Sequence, residues 1–147
     1  MDFWMERIFS RAKHERFESG YDSVFSLTIE DLVYNKDAAF SVVKNVREYL
    51  YCDHMNGEIA SEALCVLGRI KHEQSHSSRL RLLTEALSHE EYWVRDGATI
   101  GLSHMEDSAA IPYLEAAAKS EDNIFLRKYI LLTAKEINEA RSCDAKG

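Results

Sequence analysis

The sequence is poor in the residues that interrupt helices. Its 147 residues include one proline and six glycines, while 46% of them are hydrophobic. A disordered chain would hold fewer apolar residues, and a β-sandwich would need more turn residues between its strands. A chain of this length is the usual size of one domain and can bury a continuous core. The composition therefore predicts a single all-α domain.

Long apolar segments are also missing. No run approaches the roughly 20 apolar residues that a membrane span needs, and the N-terminal segment MDFWMERIFSRAK has charged residues where a secretory signal needs an apolar core. The three cysteines, Cys52, Cys65 and Cys143, are an odd number without paired spacing, which suits free thiols in a reducing compartment. We expect a cytoplasmic protein that does not enter a membrane.

The motifs that mark common catalytic and cofactor sites are missing as well. The sequence has no GxGxxG, P-loop, GxSxG elbow or HExxH. Cys52 and His54 are two metal-capable side chains close together, but a zinc site needs about four ligands. Three His-Glu dipeptides, at 14–15, 72–73 and 89–90, fall near predicted helix ends, where we expect solvated side chains. The sequence therefore predicts a protein that is not an enzyme and that binds no metal and no cofactor.

What the sequence does contain is internal repetition. Four apolar positions with helical spacing recur at a shift of 35 residues and then of 32 residues. The three sets are Ile59, Ala63, Leu67 and Ile70; Val94, Ala98, Leu102 and Met105; and Leu126, Ile130, Ala134 and Ile137. The helices between them also recur, with Leu80, Leu83 and Leu87 matching Ile111, Leu114 and Ala118. These periods are close to the roughly 34 to 47 residues of helix-pair solenoids.

One segment of the chain carries a family resemblance. Its framework is Val94-Arg95, Ala98, Leu102 and Met105, followed by Asp107, Ala110-Ile111-Pro112 and Leu114. This pattern resembles the HEAT-like repeats of the phycobilin-lyase type. The resemblance implies an α-solenoid of about four stacked helical hairpins, a HEAT-like superhelix. We place one domain at 1–141, with an N-terminal capping helix within 1–20 and a flexible tail at 142–147.

Helical periodicity predicts eight helices in this domain. Their predicted spans are 3–17, 22 or 28 to 34, 37–51, 58–71, 78–87, 91–104, 108–119 and 124–141. Trp4, Ile8 and Ala12 form the predicted apolar stripe of the first helix. Thr28 is one candidate start for the second helix, and Asp37 is the predicted cap of the third.

Charge limits the class of partner. The net charge is −7, and residues 1–20 contribute none of it because they hold four basic and four acidic side chains. Only the isolated cations Lys44, Arg47, Arg79 and Arg81 could line a channel for nucleic acid. An acidic solenoid repels phosphate backbones and attracts basic proteins. We therefore expect no nucleic-acid partner.

These observations predict a non-catalytic protein-binding module that is a monomer when free. Its most specific form is an inhibitor or immunity-type protein that neutralises a basic toxin or nuclease through an acidic surface. An enzyme-associated HEAT-like subunit, such as a bilin lyase component, and a generic adaptor are the alternatives. A further alternative is that the acidic charge serves only solubility.

Candidate partner-binding residues follow from the resemblance, in which the second helix of each hairpin lines the concave face. The outward positions on those helices are Lys44, Glu48, Arg81, Glu85, Tyr113 and Lys119. Tyr51, Tyr92 and Trp93 are further candidates, because exposed aromatic side chains are enriched at binding hot spots. Arg95 and Arg127 recur at one repeat position, and we interpret them as structural bridges to neighbouring acidic groups, with Glu90, Asp96, Glu121 and Asp122 as candidate partners.

Overall fold

The computed structural model describes residues 1–18 and 20–146, and within those ranges it is built from helices without strands. The α-helices, numbered in chain order, are α1 Phe3–Ala12, α2 Val24–Tyr34, α3 Ala39–Leu50, α4 Gly57–Arg69, α5 His76–Ala86, α6 Tyr92–Met105, α7 Ile111–Ser120 and α8 Ile124–Lys146. Single 3-10 turns at Glu73–Ser75 and Ser108–Ala110 lead into α5 and α7. The prediction of an all-α solenoid is confirmed.

The repeated apolar positions form the core of the stack. Every member of the three sets that recur in α4, α6 and α8 is buried, apart from the half-buried Met105. Leu83 and Leu114, which match each other in α5 and α7, are fully buried as well. Each hairpin therefore buries its apolar stripe against its neighbours, as expected for a solenoid.

Helices α4 and α6 run parallel and touch with almost no side chain between them. A methyl group built on Gly68 would lie 2.1 Å from the carbonyl oxygen of Gly101, and one built on Gly97 would lie 2.6 Å from the Cα atom of Ser61. Helices α3 and α5, in the other row, approach each other less closely. The α4–α6 row is therefore the more closely packed of the two.

The first helix packs through a different face from the predicted one. Met5, Phe9 and Ala12 are buried, whereas Trp4 is 37% exposed. Phe9 stacks on Tyr49 of α3, with ring centroids 3.9 Å apart and planes 5° apart. Met5, Phe9 and Ala12 also satisfy helical spacing, and this aromatic stack decides which stripe faces the core. The predicted stripe of Trp4, Ile8 and Ala12 is therefore wrong at Trp4, whereas Ile8 packs half-buried against the core and Ala12 is buried.

Two predicted helix starts are also wrong. Helix α2 is capped by Ser23, whose hydroxyl accepts a hydrogen bond of 2.9 Å from the Ser26 amide, and Thr28 lies inside the helix. Asp37 does not cap α3, because its backbone is left-handed with a φ of 50° and the N-cap position falls on Ala38. Aspartate tolerates this conformation better than most residues, so it serves the turn rather than the helix.

Two helix ends differ from the predicted spans. Helix α1 ends at Ala12 rather than at Phe17, and the chain beyond it places the Glu15 carboxylate on the backbone amides of Val24 and Phe25, at 2.7 and 3.0 Å. Helix α8 continues to Lys146, past the predicted end at Arg141. The domain limit at residue 141 stays a prediction.

Buried guanidinium groups hold the turns between helices. Arg79 is 1% exposed and donates to the carbonyl oxygens of Leu67 and His72 at 2.8 and 2.9 Å. It therefore closes the turn between α4 and α5 and does not belong to a surface channel, contrary to the possibility left open by the sequence. Buried carbonyl oxygens require hydrogen-bond donors, which explains why Arg79 is buried at this turn.

Arg95 and Arg127 meet at Glu121, which confirms their interpretation as structural bridges. Arg95 binds both carboxylate oxygens of Glu121, at 2.8 and 3.1 Å, and Arg127 donates to the Glu121 carbonyl oxygen. Burial opposes ionisation of Glu121, but hydrogen bonds from Arg95 and the Asn123 amide outweigh it and lower the pKa of Glu121. The pair ties α6 to the turn between α7 and α8.

Replacement of a contact glycine should reveal the close approach of α4 and α6. Gly68→Ala should lower the free energy of unfolding by about 1 to 3 kcal/mol, because the added methyl group has no room beside Gly101. At an ordinary helical position the same substitution would raise the free energy of unfolding, because alanine favours helix by about 1 kcal/mol over glycine. Urea denaturation of the native protein and the variant measures the change in the free energy of unfolding. A gain in stability would contradict the close packing of α4 against α6.

Removal of the Glu121 charge should destabilise the protein in a pH-dependent way. We expect Glu121→Gln to cost about 1 to 3 kcal/mol at neutral pH, because Arg95 loses its charged acceptor. The folded-state pKa of Glu121 lies below its ordinary value of 4.5. The stabilisation is therefore complete above that pH and is lost as the pH falls through the folded-state pKa. Denaturation of both proteins across this range should show the difference shrinking in acid, and a constant difference would contradict the ion pair's role.

Candidate functional site

A groove of about 710 Å³ lies along α4 and α6, beside the segment that joins α1 to α2. Each of the two helices presents one stripe of side chains to it, spaced three or four residues apart. The lining residues are Phe17, Glu18, Gly20, Tyr21 and Asp22 from the joining segment, Glu58, Ser61, Glu62, Cys65 and Arg69 from α4, and Trp93, Asp96, Ile100 and His104 from α6. The groove thus follows the more closely packed row of helices.

An aromatic ring stands at one end of this groove. Trp93 lies against Gly57, where a methyl group would come within 2.8 to 3.0 Å of its side-chain atoms. The contact fixes the tryptophan at the start of α4, and 45% of its surface stays exposed. Tyr92 packs edge-on against it, with ring centroids 6.0 Å apart. Trp93 is therefore a rigid apolar wall that solvent or a partner can reach.

The same end of the groove is acidic. Glu58, Glu62 and Asp96 line it from the helices, and Glu18 and Asp22 line it from the joining segment. Glu62 accepts a hydrogen bond from the hydroxyl of Ser26.

Among the acidic residues of the groove, Asp96 combines half-burial with the lack of an internal partner among the described residues. It is half-buried, and burial is the one cause that raises its pKa. Burial first, and then the negative charges of Glu62 and Asp96, raise the pKa of the Cys65 thiol at the floor of the groove to about 12. The pKa of Cys65 therefore reflects the negative charge of both carboxylates. This end of the groove is consequently a region of negative potential.

The other end of the groove is basic. Arg69 lies there and makes a loose ion pair with Glu30, with 3.4 Å between Nη2 and Oε1. Burial first, and then the charges of Arg69 and Lys71, lower the pKa of His104. The potential along the groove therefore changes sign between Asp96 and His104.

Comparison with known families identifies the repeats. A family model of HEAT repeats matches residues 46–133, a range that begins in α3 and ends in α8. The chain belongs to the HEAT-repeat family. No curated protein and no solved structure matched the chain. HEAT repeats form helical modules of protein interaction, and the family is typically non-catalytic.

Within the residues that the structure describes, no helix of the HEAT domain is both long and apolar enough to cross a membrane. Nor do three metal-binding side chains come together anywhere in those residues. In the His-Glu dipeptides, His14, Glu73 and Glu90 are exposed as expected. His89 is instead half-buried and bonds to the Leu50 carbonyl oxygen through Nε2 at 2.7 Å.

The HEAT domain distributes the predicted binding residues over more than one face. Lys44 and Arg81 line a small depression of about 130 Å³ between α3 and α5. Glu48 and Glu85 lie on the same two helices, but each has an internal partner: the Met1 amino group at 2.9 Å and Arg47 at 3.3 Å.

The remaining candidates lie elsewhere. Tyr51 packs against the His89 ring with centroids 5.0 Å apart, and Tyr113 and Lys119 are exposed on α7. Tyr92 is at the start of α6, and Trp93 is the one predicted residue that lines the groove. The groove lies along α4 and α6, whereas the other predicted residues lie on α3, α5 and α7, and a binding role for them stays a prediction.

Sequence reasoning missed the acidic residues of the groove. Glu62 and Asp96 lie close to the repeated buried positions Ala63 and Val94. The core-facing side of both helices, which carries those buried positions, is otherwise largely apolar. A charged residue inside an apolar helical stretch was the available signal. The direction in which such a side chain points could not be predicted before the close approach of α4 and α6 was known.

Removal of the unpaired charge at Asp96 should stabilise the HEAT domain. Folding raises the pKa of Asp96 above its ordinary value of 3.8, so the ionised carboxylate costs stability at neutral pH and costs nothing below that value. We expect Asp96→Asn to raise the free energy of unfolding by about 0.5 to 1 kcal/mol at pH 7. The gain should disappear in acid, which is the opposite of the behaviour expected for Glu121→Gln. A destabilised Asp96→Asn protein would show that the carboxylate has a stabilising partner.

Proposed function

We propose that this HEAT domain is a non-catalytic interaction module whose groove along α4 and α6 holds a basic segment of a partner protein. The observation that carries the proposal is the half-buried Asp96 carboxylate, which has no partner among the described residues. Residues kept at a cost to stability are typical of functional sites. A cation supplied by a partner would remove this cost on binding.

The surroundings of Asp96 favour a cation over other ligands. Glu58 and Glu62 on α4 add negative charge, and Trp93 supplies an exposed aromatic face at the same end of the groove. A lysine or arginine over a tryptophan ring gains cation–π attraction, and arginine also stacks on the ring. Tryptophan is also among the residues that most often dominate binding energy at protein interfaces.

The face formed by α3 and α5 is a weaker candidate for the same partner. Its acidic residues Glu48 and Glu85 already have internal cationic partners, and its depression is lined by Lys44, Arg47 and Arg81. A basic segment would meet repulsion there and would have to displace existing ion pairs.

The most specific form of the proposal is an inhibitor of a basic protein. The net charge of −7 would draw a basic toxin or nuclease toward the domain and raise the rate of encounter. An acidic groove that covers a basic segment of such a protein would block its contact with nucleic acid. The same charge disfavours nucleic acid as a direct ligand of the domain.

Binding of a labelled octa-arginine peptide tests the proposal. Fluorescence anisotropy would compare the native protein with Glu62→Gln/Asp96→Asn and with the matched control Glu48→Gln/Glu85→Gln from the α3–α5 face. We expect the groove variant to weaken binding about tenfold, the control to change it little, and the native affinity to fall in high salt because exposed charges are screened.

Two outcomes would overturn the groove as the site. Loss of binding in the α3–α5 variant alone would place the contact on the face that the sequence predicted. Equal losses in both variants would show attraction to net charge without a site. The groove substitutions keep side-chain shape, and circular dichroism of each variant would establish that it folds.

A further inference from the structure

We infer that the segment held in this groove carries two charges of opposite sign, a basic side chain over Trp93 and Asp96 and an acidic side chain that pairs with Arg69. This inference rests on the proposed function and specifies the chemistry of the partner. It concerns the whole length of the groove, whereas the proposed function requires only its acidic end.

The parallel alignment of α4 and α6 sets the separation between the two charges. Gly57 contacts Trp93 at one end of the helix pair, and Gly68 contacts Gly101 toward the other, so like ends of the two helices lie together. Gly57 lies against Trp93 and Ser61 against Gly97, so Asp96 is level with Ala60 of α4. From Ala60 to Arg69 is nine residues, which corresponds to about 14 Å at 1.5 Å per residue. A partner that uses both ends must therefore place its charges about 14 Å apart.

The side chains of Cys65 and His104 respond to charges of opposite sign at the two ends of the groove. Next to burial, the Cys65 thiol feels the carboxylates of Glu62 and Asp96, and Arg69 opposes them only weakly from further along the helix. His104 feels Arg69 and Lys71 most strongly after burial, with Glu106 opposing them. The groove therefore has a negative and a positive end, and does not attract cations along its whole length.

Arg69 can take an acidic group from a partner although it already contacts Glu30. The contact with Glu30 uses one Nη2 donor at 3.4 Å, and both side chains are about one third exposed. A guanidinium has five N–H donors, so most of them remain for a carboxylate of the partner. An acidic group here would also relieve the positive field at His104.

An extended segment of the partner matches this separation. An extended chain rises about 3.3 Å per residue, so charges about 14 Å apart lie about four residues apart. The partner segment would thus hold a basic residue and an acidic residue separated by three others.

Three short peptides test this polarity. The first has arginine at one end, glutamate at the other and three serines between them, with acetylated and amidated termini; the others replace the glutamate or the arginine by glutamine. Titration of the nitrogen-15 labelled protein, followed by NMR at the Trp93 indole N–H and the Arg69 Nε–H, gives the affinity of each peptide and the end of the groove that it reaches.

We expect the arginine–glutamate peptide to bind about two- to fivefold more tightly than the peptide without glutamate, as for a partly exposed ion pair. This gain should vanish in Arg69→Gln and persist in the matched control Arg81→Gln, which lies on the α3–α5 face. The peptide without arginine should bind weakest and should not shift the Trp93 indole signal.

The two proposals fail in different ways. If glutamate gives no gain while octa-arginine binds through Glu62 and Asp96, the polarity inference is wrong and the proposed function stands. If neither the arginine-containing peptides nor octa-arginine binds, the proposed function is wrong. Groove signals that shift with protein concentration alone would identify a second copy of this chain as the occupant and would overturn the inference.

Discussion

The backbone contact between α4 and α6 is the constraint on which the rest of the structure depends. Gly68, Gly97 and Gly101 leave no space for a methyl group, so the two helices meet at one depth and one parallel alignment. That alignment brings Glu62 of α4 and Asp96 of α6 to the same trough. It also draws this row of helices closer than the row of α3 and α5. Three missing side chains therefore determine how these two helices meet and where their charges lie.

Charged residues in this domain fall into two groups with different physical roles. Arg79, Arg95 and Arg127 close the turns between helices, where they satisfy carbonyl oxygens that would otherwise be buried without donors. Asp96 has no such partner among the described residues, and Glu62 has one neutral donor, Ser26. A buried charge is tolerable when it is paired and costly when it is not. Pairing inside the chain thus separates structural charges from those available to a partner.

The sequence predicted the repeats because burial repeats with them. Equivalent positions such as Ala63, Ala98 and Ile130 recur at nearly constant spacing, and all three are buried. The same reasoning failed at Trp4 and Asp37. At each place a neighbouring residue fits the same sequence pattern, and tertiary contacts decide which of the two takes the predicted position.

Of the predicted binding residues, Trp93 alone lines the groove. Periodicity shows which residues share a helix face, but the groove depends on contacts between residues such as Gly68 and Gly101, which belong to different repeats. The charges of α4 follow the direction of that helix. A helix dipole favours acidic residues near the N-terminus and basic residues near the C-terminus. Glu58 lies in the first turn of α4 and Arg69 in its last, whereas the first turn of α6 has no acidic residue. A partner that recognises opposite charges at the two ends of α4 would therefore recognise the direction in which this helix runs.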